Sequence, residues 1–271
     1  MAIPASSSSK VDFPWWLAVA VAIAVVVAIF VATSDLYTQV FATVAKGIGV
    51  TILVTVVAFA LASTIGLGIA LMGLSGSRLM RQIARFYVEI IRGVPILVLL
   101  FWIAFVGAPA FVATWNAVTA PLQGAGYLGE LLVRDVSLLW RAIMALTIGY
   151  SAFISEVLRA GIQAVEKGQI EAAKALGLTR AQRFRLIVFP QAVRTILPPL
   201  GNDFVALVKD SSLVSVLGVA DITQMGKVYA AGSFRFFETY SIVAYIYLIL
   251  TVSLSLALRA LERRLRHQHE Q

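Results

Sequence analysis

Long stretches without a charged residue constrain this chain more than any other feature of its sequence. Residues 93–129 carry no Asp, Glu, Lys or Arg over thirty-seven positions, and residues 47–77 carry none over thirty-one. A helix rises about 1.5 Å per residue, so about twenty such residues cross the ~30 Å hydrocarbon core of a bilayer. Only 13% of all residues are charged, against about 25% in a typical soluble domain. The sequence therefore predicts an all-α integral membrane protein.

The apolar runs predict six membrane-spanning helices in a single domain. Because proline interrupts helices, we expect Pro109 and Pro121 to end the third helix near Phe111, with an outer loop following it. Pro198 and Pro199 are likewise expected to break the fifth span. The six spans are residues 13–32, 47–77, 93–111, 138–162, 186–208 and 239–258.

Positive charges orient this bundle. With the N-terminus inside, the inner segments hold fifteen of the 22 Lys and Arg residues, and the outer segments hold five. Cytoplasmic loops carry such an excess, so we expect a multi-pass protein with both termini in the cytoplasm. Residues 1–12 and 265–271 are interpreted as cytoplasmic tails. Residues 13–33 are interpreted as an additional N-terminal transmembrane helix, retained rather than cleaved as a signal peptide.

Several function classes lack the residues that they need. Cysteine is absent, and the two histidines, His267 and His269, lie in the last five positions. No G-x-x-x-x-G-K-[ST] phosphate-binding loop occurs, so nucleotide hydrolysis would require another chain. We expect no catalytic residue, no metal site and no cofactor here. The net charge of +8 is attributed to inner loops rather than to nucleic-acid binding.

The segment between the fourth and fifth spans predicts a helix–turn–helix. Residues 169–176 are mostly strong helix formers, and Gly177 stands where a left-handed residue ends a helix. Thr179 and Gln182 have the spacing of a capping box that starts a second helix. Composition alone also fits a basic, solvated connector. The caps and small residues favour an element that enters a groove on another protein.

The same segment resembles a family signature. Six positions fit E-A-A-x3-G-x9-I-x-x-P, the EAA loop of ABC importer permeases: Glu171, Ala172, Ala173, Gly177, Ile187 and Pro190. Phe189 stands where that pattern often has leucine. Residues 89–99, 151–168 and 198–223 resemble the polar amino-acid subfamily, the histidine/glutamine/glutamate-type permeases. The resemblance covers residues 46–264 as one permease domain, with the EAA loop at 165–190.

This resemblance implies the transmembrane domain of a type I ABC importer in a bacterial inner (plasma) membrane. It implies two separate ATPase subunits that bind ATP and Mg, a second permease chain (identical or different), and a periplasmic or lipid-anchored solute-binding protein. The cargo would be an amino acid. The chain itself would not be an enzyme. By analogy, the coupling helix contacts the ATPase through eight residues: Gln169, Glu171, Ala172, Ala173, Lys174, Gly177, Arg180 and Arg183.

Polar residues at membrane depth are costly and give candidates for the substrate path. These are Glu156, Arg194, Asn202, Asp203 and Lys209. Glu156 either pairs with Arg159 three positions later or contacts a substrate ammonium group.

The remaining candidates surround the expected proline break. A new helix N-terminus there would attract an α-carboxylate near Asn202 and Asp203, or Asn202 would cap that helix. Arg194 is expected to neutralise loop carboxylates or helix C-terminal carbonyls, and Lys209 to neutralise its neighbour Asp210.

Three alternatives remain open at this point. The coupling loop indicates the energy source rather than the cargo, so an importer permease for another small solute fits as well. An ion-coupled secondary carrier would explain buried charges, but it leaves the helix–turn–helix without a role. A membrane enzyme or scaffold lacks the residue types for its chemistry.

Overall fold

The computed structural model of the chain describes residues 15–267, except for the side chains of residue 16 and residues 263–267. The tail predicted at 1–12 and residues 268–271 lie outside this range. The described part is helical and contains no β-strand. Its α-helices are α1 (Trp15–Thr33), α2 (Asp35–Val44), α3 (Ile48–Gly73), α4 (Arg78–Gly93), α5 (Ile96–Trp102), α6 (Ala108–Gly124), α7 (Leu138–Gln163), α8 (Lys167–Ala175), α9 (Arg180–Arg183), α10 (Phe189–Asp210), α11 (Ile222–Ser233) and α12 (Phe236–His267).

Four helical segments in the described range are long and apolar enough to cross a membrane. They are residues 35–73, 96–124, 138–163 and 236–262. The apolar part of α1 is shorter, and α10 contains four charged residues. The count of six spans therefore stays a prediction. Helix α12 extends to His267, so residues 265–267 of the predicted C-terminal tail are helical.

Helices α3 and α7 form the centre of the bundle. They pack closely because Gly66 has no side chain, and a Cβ there would lie 3.0 Å from the carbonyl oxygen of Ser151. Near the C-terminal ends of α3 and α7, a Cβ at Gly73 would lie 3.4 Å from the Cδ atom of Arg159. The interface buries apolar side chains of both helices, including Ala58 and Leu146. Helix α10 packs against both α7 and α12.

A second apolar cluster joins α2, α11 and α12. It buries Val44, Ile222 and Ile242. At its edge the carboxylate of fully buried Asp221 accepts hydrogen bonds from the Gln224 backbone N–H, at 2.8 Å, and from the Tyr247 hydroxyl, at 3.1 Å. The first bond caps the N-terminus of α11.

The prolines do not end the helices where the sequence predicts. Helix α6 continues to Gly124, so the prediction of an outer loop from about residue 111 is wrong. Pro109 lies in the first turn of α6, directly after a π-helical turn at residues 103–107, and the helical run from residue 96 to residue 124 passes through it. Only residues 125–137 separate α6 from α7.

The predicted break in the fifth span is also wrong. Helix α10 runs without interruption through Pro198 and Pro199. Its irregularities lie at its two ends instead, in a π-helical turn at residues 184–188 and a 3-10 turn at residues 211–217. Packing on α7 and α12 holds α10 together where local propensity is poor, since neighbouring helices compensate for proline in membrane bundles.

Candidate coupling and translocation sites

Helix α8 ends in the way that the sequence predicts. Gly177 adopts the left-handed conformation, with φ of +81°. The Gly177 N–H donates to the Lys174 carbonyl at 3.0 Å, and the Leu178 N–H donates to the Ala173 carbonyl at 3.1 Å. These two bonds form a Schellman motif, which satisfies the last carbonyls of the helix and fixes the turn that follows.

Helix α9 starts with the predicted capping box. The Gln182 N–H donates to the Thr179 hydroxyl at 3.3 Å, and the Thr179 N–H donates to the Gln182 side-chain oxygen at 2.9 Å. The Gln191 amide nitrogen then donates to the Gln169 side-chain oxygen at 2.5 Å, which joins α8 to α10. The helix–turn–helix is therefore attached to the bundle by a side-chain hydrogen bond as well as by the chain itself.

An apolar cluster beneath α8 strengthens this attachment. Val165, two residues after the end of α7, is buried with Val188, just before α10, and with Ala192 in the first turn of α10. Ile170 of α8 packs against them. The base of α8 is thereby tied to both α7 and α10.

The residues predicted to contact an ATPase do not all face outward. Six of them are exposed: Gln169, Glu171, Ala172, Lys174, Gly177 and Arg180. Arg183 is half-buried, whereas Ala173 is only 4% exposed and packs inward. The expectation that Ala173 lies in an ATPase groove does not fit this burial. Leu176, which the sequence analysis did not select, is 80% exposed at the tip of α8.

A cavity of about 410 Å³ lies between α3, α4 and α7, near the end of the bundle that carries α8. Its charged lining residues are Arg81, Arg85, Glu89, Arg92, Glu156 and Arg159. Glu156 forms the predicted ion pair: both of its carboxylate oxygens accept from the Arg159 guanidinium, at 2.9 and 3.0 Å. The arginines at positions 78–92 belong to helix α4, and the spacing of these arginines and of the apolar residues between them fits an amphipathic helix.

The other predicted path residues do not line this cavity. Arg194, Asn202 and Lys209 occupy exposed positions on α10. Their spacing of eight and seven residues places them on one face of that helix. Asn202 caps no helix, because α10 is continuous there, and Arg194 has no hydrogen-bond or ion-pair partner among the described residues.

Two acidic residues of α10 differ from expectation. Asp210 does not pair with Lys209. It accepts a hydrogen bond from the Tyr150 hydroxyl of α7 at 2.8 Å. One oxygen of Asp203 is buried and has no hydrogen-bond partner, so no helix N-terminus or capped anion site forms at this point.

Arg141 organises the opposite end of the bundle. It is 8% exposed, and its guanidinium donates to the carbonyls of Val136, at 2.8 Å, Ala104, at 3.1 Å, and Val133. Ala104 lies in the π-helical turn before α6, which interrupts the regular α-helical pattern of hydrogen bonds. This role of Arg141 was not predicted from the sequence, in which the only signal is an arginine inside an apolar span.

The comparisons with known proteins concern most of the chain. Residues 62–267 match the family described as "Binding-protein-dependent transport system inner membrane component". The probable amino-acid permease protein YxeN of Bacillus subtilis is 33% identical over 223 residues, which is 82% of this chain and 91% of the relative. The glutamine transport system permease protein GlnP of Escherichia coli strain K12 is 34% identical over 221 residues, 82% of this chain and 92% of the relative.

Solved structures agree with these relatives. A structure titled "Crystal structure of an amino acid ABC transporter with histidines" has a TM-score of 0.68 and 37% identity, and the match covers 84% of this chain and 95% of that one. An inward-facing MetNI methionine ABC transporter has a TM-score of 0.63 at 22% identity, over 82% of this chain and 96% of that one, a likeness of fold alone. The predicted ABC-transporter fold is confirmed. The chain belongs to the family of binding-protein-dependent transport system inner membrane components.

Proposed function

We propose that this chain is the permease subunit of an ATP-driven importer of polar amino acids. The helix–turn–helix of α8 and α9 carries the proposal, because it has defined ends, a fixed base and an exposed face. The cargo class is supported by the names of the relatives, which include amino-acid and glutamine permeases at 33–34% identity. Separate ATPase subunits would supply the site for ATP and Mg.

The exposed face of α8 is the proposed contact with the ATPase. Glu171, Ala172, Lys174 and Leu176 are exposed there and project away from the buried base. Because packed helices move as near-rigid bodies, a displacement of α8 passes to α7 and α10 together. Movement of the docked ATPases would then reshape the path between the transmembrane helices.

The polar face of α10 is the proposed lining of that path. Arg194, Asn202 and Lys209 are exposed in this chain. Charged groups are costly against lipid, so they face another protein chain or water. A second permease chain, either a copy of this one or a different permease, would cover this face. Helix α8 would lie in the cytoplasm, and the loop at 125–137 would face the solute-binding protein on the outer side.

Co-purification tests the coupling surface. We expect tagged full-length protein, extracted in mild detergent from its native membrane, to retain an ATPase subunit and ATP hydrolysis. Leu176→Asp and Glu171→Arg should lose most of both, because they place an unmatched charge in the contact. Glu130→Lys, an exposed change in the loop at 125–137, is the control. All variants must elute from size exclusion like the parent protein.

Two results would contradict the proposal. One is a parent protein that retains no ATPase, and the other is full ATPase retention by both α8 variants. Uptake by proteoliposomes separates the mechanisms further. An importer needs ATP and tolerates ionophores, whereas an ion-coupled carrier stops when the gradients collapse.

A further inference from the structure

We infer that the cavity between α3, α4 and α7 is a cargo site selective for acidic amino acids, which carry a second carboxylate on the side chain. This inference rests on the proposed function and names its substrate class. It depends on which charges of the cavity are already neutralised within the chain and which are not.

Three of the six charged groups are committed to contacts within the protein. The Arg81 guanidinium donates to the carbonyls of Ser75, at 2.8 Å, and Gly76, at 2.9 Å, just after the end of α3. Arg159 and Glu156 satisfy each other through two hydrogen bonds. A ligand would have to break these contacts in order to use the groups.

The other three charges are available and all lie on α4. Arg85 and Glu89 have no hydrogen-bond or ion-pair partner among the described residues. The Arg92 guanidinium lies 5.4 Å from the ring centroid of Phe153, a cation–π contact that orients it. It also interacts electrostatically with Glu156, but its N–H groups make no hydrogen bond within the described residues. The site therefore offers two cations and one anion to a ligand.

The order of these charges defines the ligand. Positions 85, 89 and 92 are spaced by four and three residues, so they share one face of α4 and rise about 6 and 4.5 Å along it. The order is positive, negative, positive. An acidic amino acid carries the complementary charges: the ammonium group and the α-carboxylate are bonded to the same carbon, and the second carboxylate ends the side chain.

Each charge then has one role. Arg92, oriented by Phe153, binds the α-carboxylate, Glu89 binds the α-ammonium, and Arg85 binds the side-chain carboxylate. A neutral side chain leaves Arg85 without a partner, and a basic side chain meets it with like charge. The lining as a whole has four arginines and two glutamates, so it favours the more negative ligand. Its volume is within the ~300–1,000 Å³ of small-ligand sites.

Equilibrium binding tests the inference. Radiolabelled L-glutamate is bound to the full-length permease with its co-purified ATPase in nanodiscs, and unlabelled L-aspartate, L-glutamine and L-arginine compete. We expect the Kd for glutamate to be at least tenfold below that for glutamine, with aspartate competing and arginine competing weakest.

Variants separate the roles of the two arginines. Arg85→Gln should raise the Kd for glutamate at least tenfold and that for glutamine less than threefold. Arg92→Gln should raise both equally. Arg78→Gln is the matched control, because Arg78 begins α4 without lining the cavity. Thermal unfolding of each variant confirms folding.

Failures of this inference and of the proposed function give different results. Tighter binding of glutamine or arginine than of glutamate, or equal losses for glutamate and glutamine in Arg85→Gln, overturns acidic selectivity and leaves an amino-acid importer. Binding of none of the four amino acids by a complex that hydrolyses ATP overturns both the selectivity and the amino-acid cargo.

Discussion

Replacement of Gly47 by alanine tests the closest backbone approach in the fold. Gly47 precedes α3 with an ordinary φ of −76°, so its backbone conformation suits any residue. A Cβ at this position would lie 2.3 Å from the Asp221 carbonyl carbon and 2.3 Å from the Ile222 nitrogen. Ordinary contacts begin near 3.4 Å, so the backbone before α11 must move by about 1 Å.

The cost can be estimated from what that movement disturbs. Overpacking a well-packed interior costs about 1–3 kcal/mol. The shift also stretches the hydrogen bond from the Ile222 N–H to the Thr51 hydroxyl, already 3.3 Å long, and a buried bond contributes about 1 kcal/mol. Alanine is more favourable than glycine in a helix by about 0.5–1 kcal/mol, and this gain offsets part of the cost. The net loss is about 1–3.5 kcal/mol.

Thermal unfolding of the purified full-length protein in detergent measures this loss. A chain of this size loses about 2–4 °C in Tm for each kcal/mol, so the apparent Tm should fall by roughly 2–14 °C. Gly49→Ala is the matched control, because Gly49 lies two residues further on, in the first turn of α3, and has no atom within 4 Å of its added Cβ. It should leave Tm unchanged or raise it slightly. Equal Tm values for the two variants would refute the close packing of Gly47 against the start of α11.

Further substitutions test the other end of the bundle and the outer loop. Gly177→Val should reduce ATPase retention and uptake, because a β-branched residue resists positive φ, whereas Gly177→Asn should keep most of both; equal behaviour would contradict the argument. Thr179→Ala should cost about 1 kcal/mol of local stability, seen as faster amide exchange in α9 only. Arg141→Met should lower Tm and make residues 125–137 sensitive to protease, and unchanged cleavage would show that its three carbonyl contacts do not hold the loop.

Local signals in the sequence predicted local structure well. The end of α8 and the start of α9 depend on Gly177, Thr179 and Gln182, whose conformations and bonds involve residues at most five positions apart. The pair formed by Glu156 and Arg159 is local in the same sense, because three residues separate its members on one helix.

Tertiary contacts decided what the sequence could not predict. Pro198 and Pro199 read as a helix break, but α10 is held by α7 and α12, and a single sequence contains no measure of that support. Asp210 was assigned to its neighbour Lys209, whereas its partner Tyr150 lies sixty residues away on α7. Ala173 shows the same limit, because whether it faced a partner or its own chain depended on how α8 sits on the bundle.

Helix α7 connects the cavity to the coupling helix, and this connection has a thermodynamic consequence. Arg159 lines the cavity and also donates to the Gln163 side-chain oxygen at 2.9 Å in the last turn of α7, four residues before α8 begins. In the proposed complex, movement of α8 would therefore change the wall of the cavity. Because coupling between two sites is reciprocal, nucleotide binding by the proposed ATPase would then change cargo affinity, and cargo would change nucleotide affinity by the same factor.

We expect a non-hydrolysable ATP analogue to raise the cargo Kd of the complex about 5–150-fold, the usual range for coupled sites. The sign follows from the proposed import cycle, in which closure of the ATPases opens the path outward and disrupts a cavity at the inner end. Gln163→Ala should reduce this factor while leaving the nucleotide-free Kd within threefold, because the Glu156 carboxylate still holds Arg159. An unchanged cargo Kd with saturating nucleotide would mean that α8 and the cavity are mechanically independent, although they share α7.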